Sequence, residues 1–286
     1  MAEVSKRYRS VSYFRRLVVD NMHFSRQVPS TTIERTMDLS ELMAARNCAE
    51  PSPTWSAIFI KAYALVAREQ SLVRTSYLKF PWPKLYEHDQ SCATLNLDRK
   101  FQSERIVLQI QLNAPESSTL SELDRQIHAA QHNPLETISA YRNATRLSRV
   151  PWPFRRLIWW LGLNVSGACR ARNFGTFGIT SLGGQGTGIV HLANLLTSTI
   201  HFGVFEESGK LNVRLSFDHR VLDGASAAEV LQAMEQVLRT QMVRECTAGE
   251  QLESSSVAKE PLHSKRSDSN ESRECWESSR SQYFSS

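Results

Sequence analysis

Five cysteines, at positions 48, 92, 169, 246 and 275, form neither an even set nor a C-x-x-C pair. That spacing speaks against a disulfide framework and a zinc ribbon, and reduced thiols in a cytoplasmic enzyme are the simplest reading. Long apolar runs are missing too. The dense stretch from Leu157 to Leu163 is far shorter than the roughly 20 apolar residues of a membrane-spanning helix. The start, MAEVSKRYRSVSYFRR, is basic but is not followed by the apolar core of a signal peptide, so export is not expected. Gly183, Gly184, Gly186 and Gly188 lack the Lys that would make a phosphate-binding P-loop. No zinc-finger, RNA-binding or helix-turn-helix pattern is present to favour nucleic acid.

With 41 % hydrophobic residues among 286, the chain can bury a substantial core. Residues 247–286 change character. They are rich in Ser and charge and poor in apolar periodicity, the composition of a disordered tail. We therefore expect one folded domain over residues 1–246 and a disordered tail over 247–286. The tail carries five Lys and Arg against seven Asp and Glu, so the formal net charge of +5 leaves +7 on the folded part. A basic domain suits an anionic partner, although a charge surplus alone is an ordinary solvated face.

The most specific pattern is LSFDHRVLDGASAAEVLQAME, residues 215–235. Val213, Leu215 and Phe217 alternate with polar residues as in a half-buried strand, and from Ala225 the apolar residues recur at helical spacing. His219 therefore sits where a strand gives way to a loop, held firmly with its ring open to a ligand. Asp223 is a good helix cap, and Gly224 tolerates unusual dihedrals at the turn. With eight histidines, H-x-x-x-D-G arises by chance only about 0.02 to 0.04 times per chain.

The flanks DHRV and DGASAA resemble the signature of the catalytic domain of 2-oxoacid dehydrogenase dihydrolipoamide acyltransferases and, more distantly, chloramphenicol acetyltransferase. Other segments follow in the same order. Residues 14–46 resemble the family's opening helix, its Pro, and a first strand that ends in an acidic residue before a helix. Residues 55–77 resemble its "fiikAaalAlr" helix and the next strand, and FGTFGITSLGGQGTG, residues 174–188, resembles its "GTFTISNLG" strand and glycine-rich turn. The resemblance spans about residues 12–242. It implies an α/β (α+β) fold, a chloramphenicol acetyltransferase-like two-layer sandwich of a mixed sheet packed with helices.

The resemblance also implies direct acyl transfer in a ternary complex, without an acyl-enzyme. Neutral His219 is the expected general base, an effect of typically about 10²- to 10⁴-fold. Thr180 is the expected donor to the tetrahedral oxyanion, where the family usually has Ser; the hydroxyl is kept and a methyl is added. Ser181 is its nearest competitor. Asp223 is expected to organise the loop by pairing with an Arg from the chain's beginning. Arg15 aligns best with it and Arg16 is one residue away. The active sites are expected between subunits of a homotrimer, with His219 of one chain facing Thr180 of the next. Coenzyme A enters as the acyl-CoA substrate, and no covalently bound lipoyl group is expected, since only about a dozen residues precede the resemblance.

The least family-like part is residues 146–172, both aromatic and basic. One reading is an interfacial element with Trp152, Phe154, Trp159 and Trp160 among lipid headgroups and Arg155 and Arg156 on anionic lipid; the other is a core or trimer-contact helix. His128 and His132 lie four apart on a helix with no third ligand in view, and read as surface residues rather than a metal site. The functional expectation is a free-standing acyltransferase that moves an acyl group between coenzyme A and a thiol, hydroxyl or amine acceptor, lipid-like or small. A lipoamide acyltransferase core served by a lipoyl domain in trans and a non-catalytic trimeric scaffold are the alternatives. Retention of His219 and Asp223 argues against the scaffold.

Overall fold

The structure is a computed structural model that describes residues 10–101, 104–181, 186–190 and 193–248. Helix α1 (Tyr13–Ser25) opens on Ser12, whose side chain accepts from Arg15 N–H, and ends before Pro29. Strand β1 (Ser30–Asp38) and helix α2 (Ser40–Cys48) follow, the order that the resemblance implied. Helix α3 (Trp55–Glu69) is buried at every position from Ala57 to Ala67. A helix apolar all round belongs inside, and each fully buried Ile, Leu or Phe stabilises by about 1.5–3 kcal/mol. Its one charge in that stretch, Lys61, is matched by Glu245 near the end of the last helix.

Strands β2 (Thr75–Leu78) and β3 (Lys84–Glu87) form a separate hairpin. Strands β4 (Cys92–Phe101) and β5 (Glu104–Asn113) form a long antiparallel pair. Helix α4 (Leu120–His132) opens with a capping box between Thr119 and Glu122. Helices α5 (Ser139–Arg149), α6 (Trp152–Asn164) and α7 (Gly167–Phe174) come next, then β6 (Phe177–Thr180), β7 (Ser198–Phe202), β8 (Lys210–Asp218) and α8 (Gly224–Val237). A π-helical turn over Leu238–Met242 extends the last helix. Helix continues through Ala248, so only Thr247 and Ala248 of the expected tail are described, and they are helical; the rest of it lies outside the described residues.

The main sheet has the order β1-β8-β7-β6-β4-β5. Neighbours β4, β6 and β7 run parallel, while β8, β1 and β5 are antiparallel to the strands beside them. This is the mixed sheet expected. Helices α3, α4 and α8 cover it with the main core, which joins Phe59, Tyr63, Phe177, Phe217 and Met234. A second, smaller cluster binds α1 to α6 and α7 through Phe24, Trp159, Leu163 and Leu195, with the Phe24 and Trp159 rings stacked at 5.8 Å.

That second cluster decides, for Arg155 and Trp159, between the two readings of residues 146–172 in favour of a core helix. Asp20 on α1 is fully buried and takes Arg155 as its partner, with Arg156 at 3.4 Å. Arg155 thus faces inward, as does Trp159, because the buried carboxylate needs a guanidinium more than a lipid headgroup does. Trp152 and Phe154 remain exposed. Among the described residues, no helix is long and apolar enough to cross a membrane. His128 and His132 lie on the exposed side of α4.

Candidate active site

Strand β8 ends in three buried residues, Ser216, Phe217 and Asp218, and His219 is the first to emerge. The backbone is pinned on both sides. His219 N–H donates to Pro29 O at 2.9 Å and Asp218 N–H to Thr197 O at 2.9 Å. The Asp218 carboxylate, 1 % exposed, receives the fork of Arg220: Nε to Oδ1 at 2.8 Å and Nη2 to Oδ2 at 2.7 Å, with the Arg220 backbone N–H at 3.0 Å. The same guanidinium lies 4.2 Å over the Tyr77 ring of β2.

A second cation stands behind this clamp. Arg170 of α7 is buried and donates to Leu163 O and Leu195 O. Burial pulls its pKa down to about 10, and the nearby Asp218 charge opposes that pull. Such a bidentate, desolvated set fixes the turn far more firmly than a surface ion pair does. The His219 imidazole itself is exposed, 5.7 Å from the Phe217 ring, and makes no hydrogen bond among the described residues. A firm backbone with a free ring is what a general base needs.

Asp223 caps α8, its Oδ1 accepting from Ser226 N–H at 2.8 Å. These backbone bonds hold its carboxyl below the ordinary range, with a smaller push from His219. The expected Asp223–Arg15 pair does not form within the chain. Helix α1 lies against α5, and Ser12 bonds Glu104 of β5, at the sheet edge remote from β8, so Arg15 is exposed there. Arg16 bonds Val11 O and lies over the Tyr13 ring instead. Gly224 does not have a positive φ, and a side chain there would meet open space, so its dihedral freedom is not what places it.

Thr180 ends β6 and is 8 % exposed. Its neighbour across β7 is His201, fully buried, whose Nδ1–H donates to Thr180 O at 3.1 Å while its Nε2 accepts from Ile189 N–H at 2.9 Å. One neutral tautomer satisfies both bonds, and burial accordingly lowers the pKa. The Thr180 hydroxyl makes no hydrogen bond among the described residues. Ser181 spends its hydroxyl proton on Phe202 O at 3.1 Å, which leaves Thr180 the better-placed donor of the two.

Register separates these two halves. Phe177, Ser198 and Phe217 lie side by side across β6, β7 and β8, and so do Thr180, His201 and Arg214. His219 is five residues beyond Arg214 on β8, roughly 16 Å along the strand at about 3.3 Å per residue. His219, Asp223 and Gly224 are therefore together at one end of the sheet, and Thr180 and Ser181 are at the other. The sequence reading missed His201, Arg170 and the Asp218–Arg220 clamp. Only the clamp, as D-x-R around His219, left a local signal.

A cleft of about 990 Å³ opens between α1, β5, α5, α6 and α7, lined by Phe14, Val107, Leu147, Ile158, Trp159 and Phe174. Neither His219 nor Thr180 lines it. Its walls include two buried polar atoms without a partner among the described residues, Asn21 Oδ1 and Trp159 Nε1, an acceptor and a donor.

The mixed six-stranded sheet backed by helices is the fold of dihydrolipoamide acyltransferase catalytic cores, as the resemblance implied. Among solved structures, the chain is similar to the dihydrolipoamide acetyltransferase of Azotobacter vinelandii, studied for the roles of a serine, a histidine and an asparagine in its mechanism. Identity is 18 %, the TM-score is 0.59, and the match covers 84 % of this chain and 96 % of that one. It is also similar to the cubic core of a pyruvate dehydrogenase multienzyme complex, at 17 % identity and TM-score 0.56 over 84 % and 96 % of the two chains. A truncated catalytic core of the 2-oxoacid dehydrogenase complex of Thermoplasma acidophilum matches at 15 % identity and TM-score 0.55, over 82 % and 98 %. No family model and no curated protein sequence matches the chain. At such identities the likeness establishes the fold.

Proposed function

We propose that the protein is a coenzyme A-dependent acyltransferase whose active sites form between copies of the chain, in a homotrimer. The observation that carries this reading is the placement of its two reactive groups. His219 stands exposed on a clamped loop at one end of the sheet, and the Thr180 hydroxyl is available at the other, so one chain holds half of a site at each end. A second copy that turns its Thr180 end towards His219 completes the site.

The chemistry then follows from the residue types. A thiol with a pKa near 8.5 is mostly protonated at neutral pH. Neutral His219 takes the acceptor's proton as its sulfur, oxygen or nitrogen bonds to the thioester carbon of acyl-CoA. The carbonyl electron pair moves to oxygen, and the Thr180 hydroxyl donates to that oxyanion. When the carbonyl re-forms, the bond to the coenzyme A sulfur breaks and the sulfur recovers the proton from the imidazolium. No covalent bond to the protein is needed. Cys48, Cys92, Cys169 and Cys246 are free thiols, in keeping with a reducing, cytoplasmic setting. Because the similar structures include cores of dehydrogenase complexes, a lipoyl group carried by another protein is the second acceptor to assay.

His219→Ala is expected to lower kcat by about 10²-fold or more with the thermal midpoint unchanged, in an assay with several acyl-CoAs and with thiol and lipoyl acceptors. Activity within about threefold of wild type excludes the base. Co-expressed His219→Ala and Thr180→Val chains, each inactive alone, should regain part of the activity in mixed trimers verified by mass. A monomer by light scattering rejects the shared site.

A further inference from the structure

Helix α6 is apolar on two opposite sides. Arg155, Trp159 and Leu163 face inward, and the opposite side carries Phe154, Leu157, Ile158 and Leu161, spaced i, i+3, i+4 and i+7. These four are between 44 and 62 % exposed. An outward apolar stripe of four neighbouring side chains calls for a cover. Aromatic residues flank it at both ends. Trp152 is exposed at its start, and at its end the turn of Phe80 and Trp82 adjoins it, with Phe80 N–H donating to Asn164 O and the Phe80 ring 5.8 Å from that of Trp160. Trp82 is 77 % exposed, the largest value among the large apolar side chains described.

The charge around the stripe has one sign. Between residues 137 and 205 there are seven arginines and no Asp, Glu or Lys. Arg155 and Arg156 share the single carboxylate of Asp20, and Arg170 is buried. Arg142, Arg146 and Arg149 remain exposed along one face of α5, and Arg172 is exposed on α7; none of the four has an ion-pair partner among the described residues. A second copy docked stripe to stripe would bring these like charges together. An anionic bilayer answers both features, taking the apolar stripe at its acyl boundary, the tryptophans at headgroup level and the arginines on its phosphates.

We propose that the outer face of α6, with the Phe80–Trp82 turn and the α5 arginines, docks the protein on an anionic membrane surface. The helix lies in the interface plane rather than crossing it, since at 13 residues it spans about 20 Å along its axis. Ile158 and Leu161 also line the cleft, so docking would bring the cleft's mouth beside the lipid. This inference does not depend on the acyl-transfer reading.

Flotation of the full chain with phosphatidylglycerol vesicles and with phosphatidylcholine vesicles tests it. Binding is expected to the anionic vesicles, to fall in high salt, and to weaken about tenfold or more in each of two double variants, Leu157→Ser with Ile158→Ser and Arg146→Glu with Arg149→Glu. All of these side chains except Arg146 and Arg149 are apolar, and all are exposed, so circular dichroism and the thermal midpoint should be unchanged. No flotation with phosphatidylglycerol, equal binding to both lipids, or equal binding by wild type and variants would overturn the proposal. So would an oligomer that dissociates in the serine variant, which would give the stripe to a second copy.

Discussion

At the His219 end of the sheet the side chain proposed as base is exposed and its support is buried charge; at the Thr180 end the hydroxyl proposed as oxyanion donor is itself buried and its support is a neutral imidazole. Asp218, Arg220 and Arg170 hold the first, and His201 the second. The difference teaches how an exposed and a buried partner can be combined. A base that must gain and lose a proton needs freedom at its ring and none in its backbone, whereas an oxyanion donor works by being aimed in advance.

Breaking the charged support should have the largest effect. Asp218→Ala strands Arg220 and removes the charge that opposes the burial of Arg170, and should cost about 3–5 kcal/mol by chemical denaturation, as removal of one partner from a buried pair does. At the other end, Thr180→Val keeps shape and loses the donor, so kcat should fall about 10²- to 10³-fold, about 2.7–4 kcal/mol, while Thr180→Ser keeps most of the activity. Equal turnover by Val and Thr would remove the hydroxyl from the comparison.

Acid should loosen the protein at two buried histidines, His201 and His88, whose Nε2 lies 3.0 Å from Ser76 Oγ on β2. Burial, aided by the Arg170 charge, pulls His88 down to about 4 from its ordinary 6.5, and burial lowers His201 in the same direction. Unfolded, both rings take up protons near pH 6.5 that the folded protein refuses. The His88 contribution is therefore full above about 6.5 and is lost as pH falls towards about 4, and that of His201 is lost in the same direction. Thermal midpoints across that window should drop, and His88→Asn should flatten part of the drop; a parallel curve would clear His88. The smallest effect belongs to Asp223→Ala, which loses one helix cap, about 1 kcal/mol. A loss as large as that of Asp218→Ala would mean that Asp223 also bears on the clamp.

Much of the His219 end was legible in the sequence because its parts are consecutive: strand alternation, the histidine, the cap and the helix all fall within residues 213–235. The order of α1, β1, α2 and α3 was legible for the same local reason. What the sequence hid is pairing at a distance. Thr180 meets His201 only through the β6–β7 register, and Asp20 meets Arg155 across 135 positions, so Arg155 stayed open between a lipid-facing and a core position and Arg15 read as the loop's partner. Periodicity sees one face of a helix at a time. On α6 it could not say which apolar side turns inward, because both are apolar.

The pairing of β1 with β8 has a consequence for how the chain is born. Ser30 lies opposite Asp218, so the first strand of the sheet waits for the last. At a synthesis rate of about 5–20 residues per second, β1 leaves the ribosome roughly ten to forty seconds before its neighbour exists. Over that interval its backbone donors and acceptors have no native strand beside them, and the sheet cannot close from its N-terminal edge. The long β4–β5 hairpin, whose strands are nearly adjacent in sequence, is instead the element that can form while the rest is still being made.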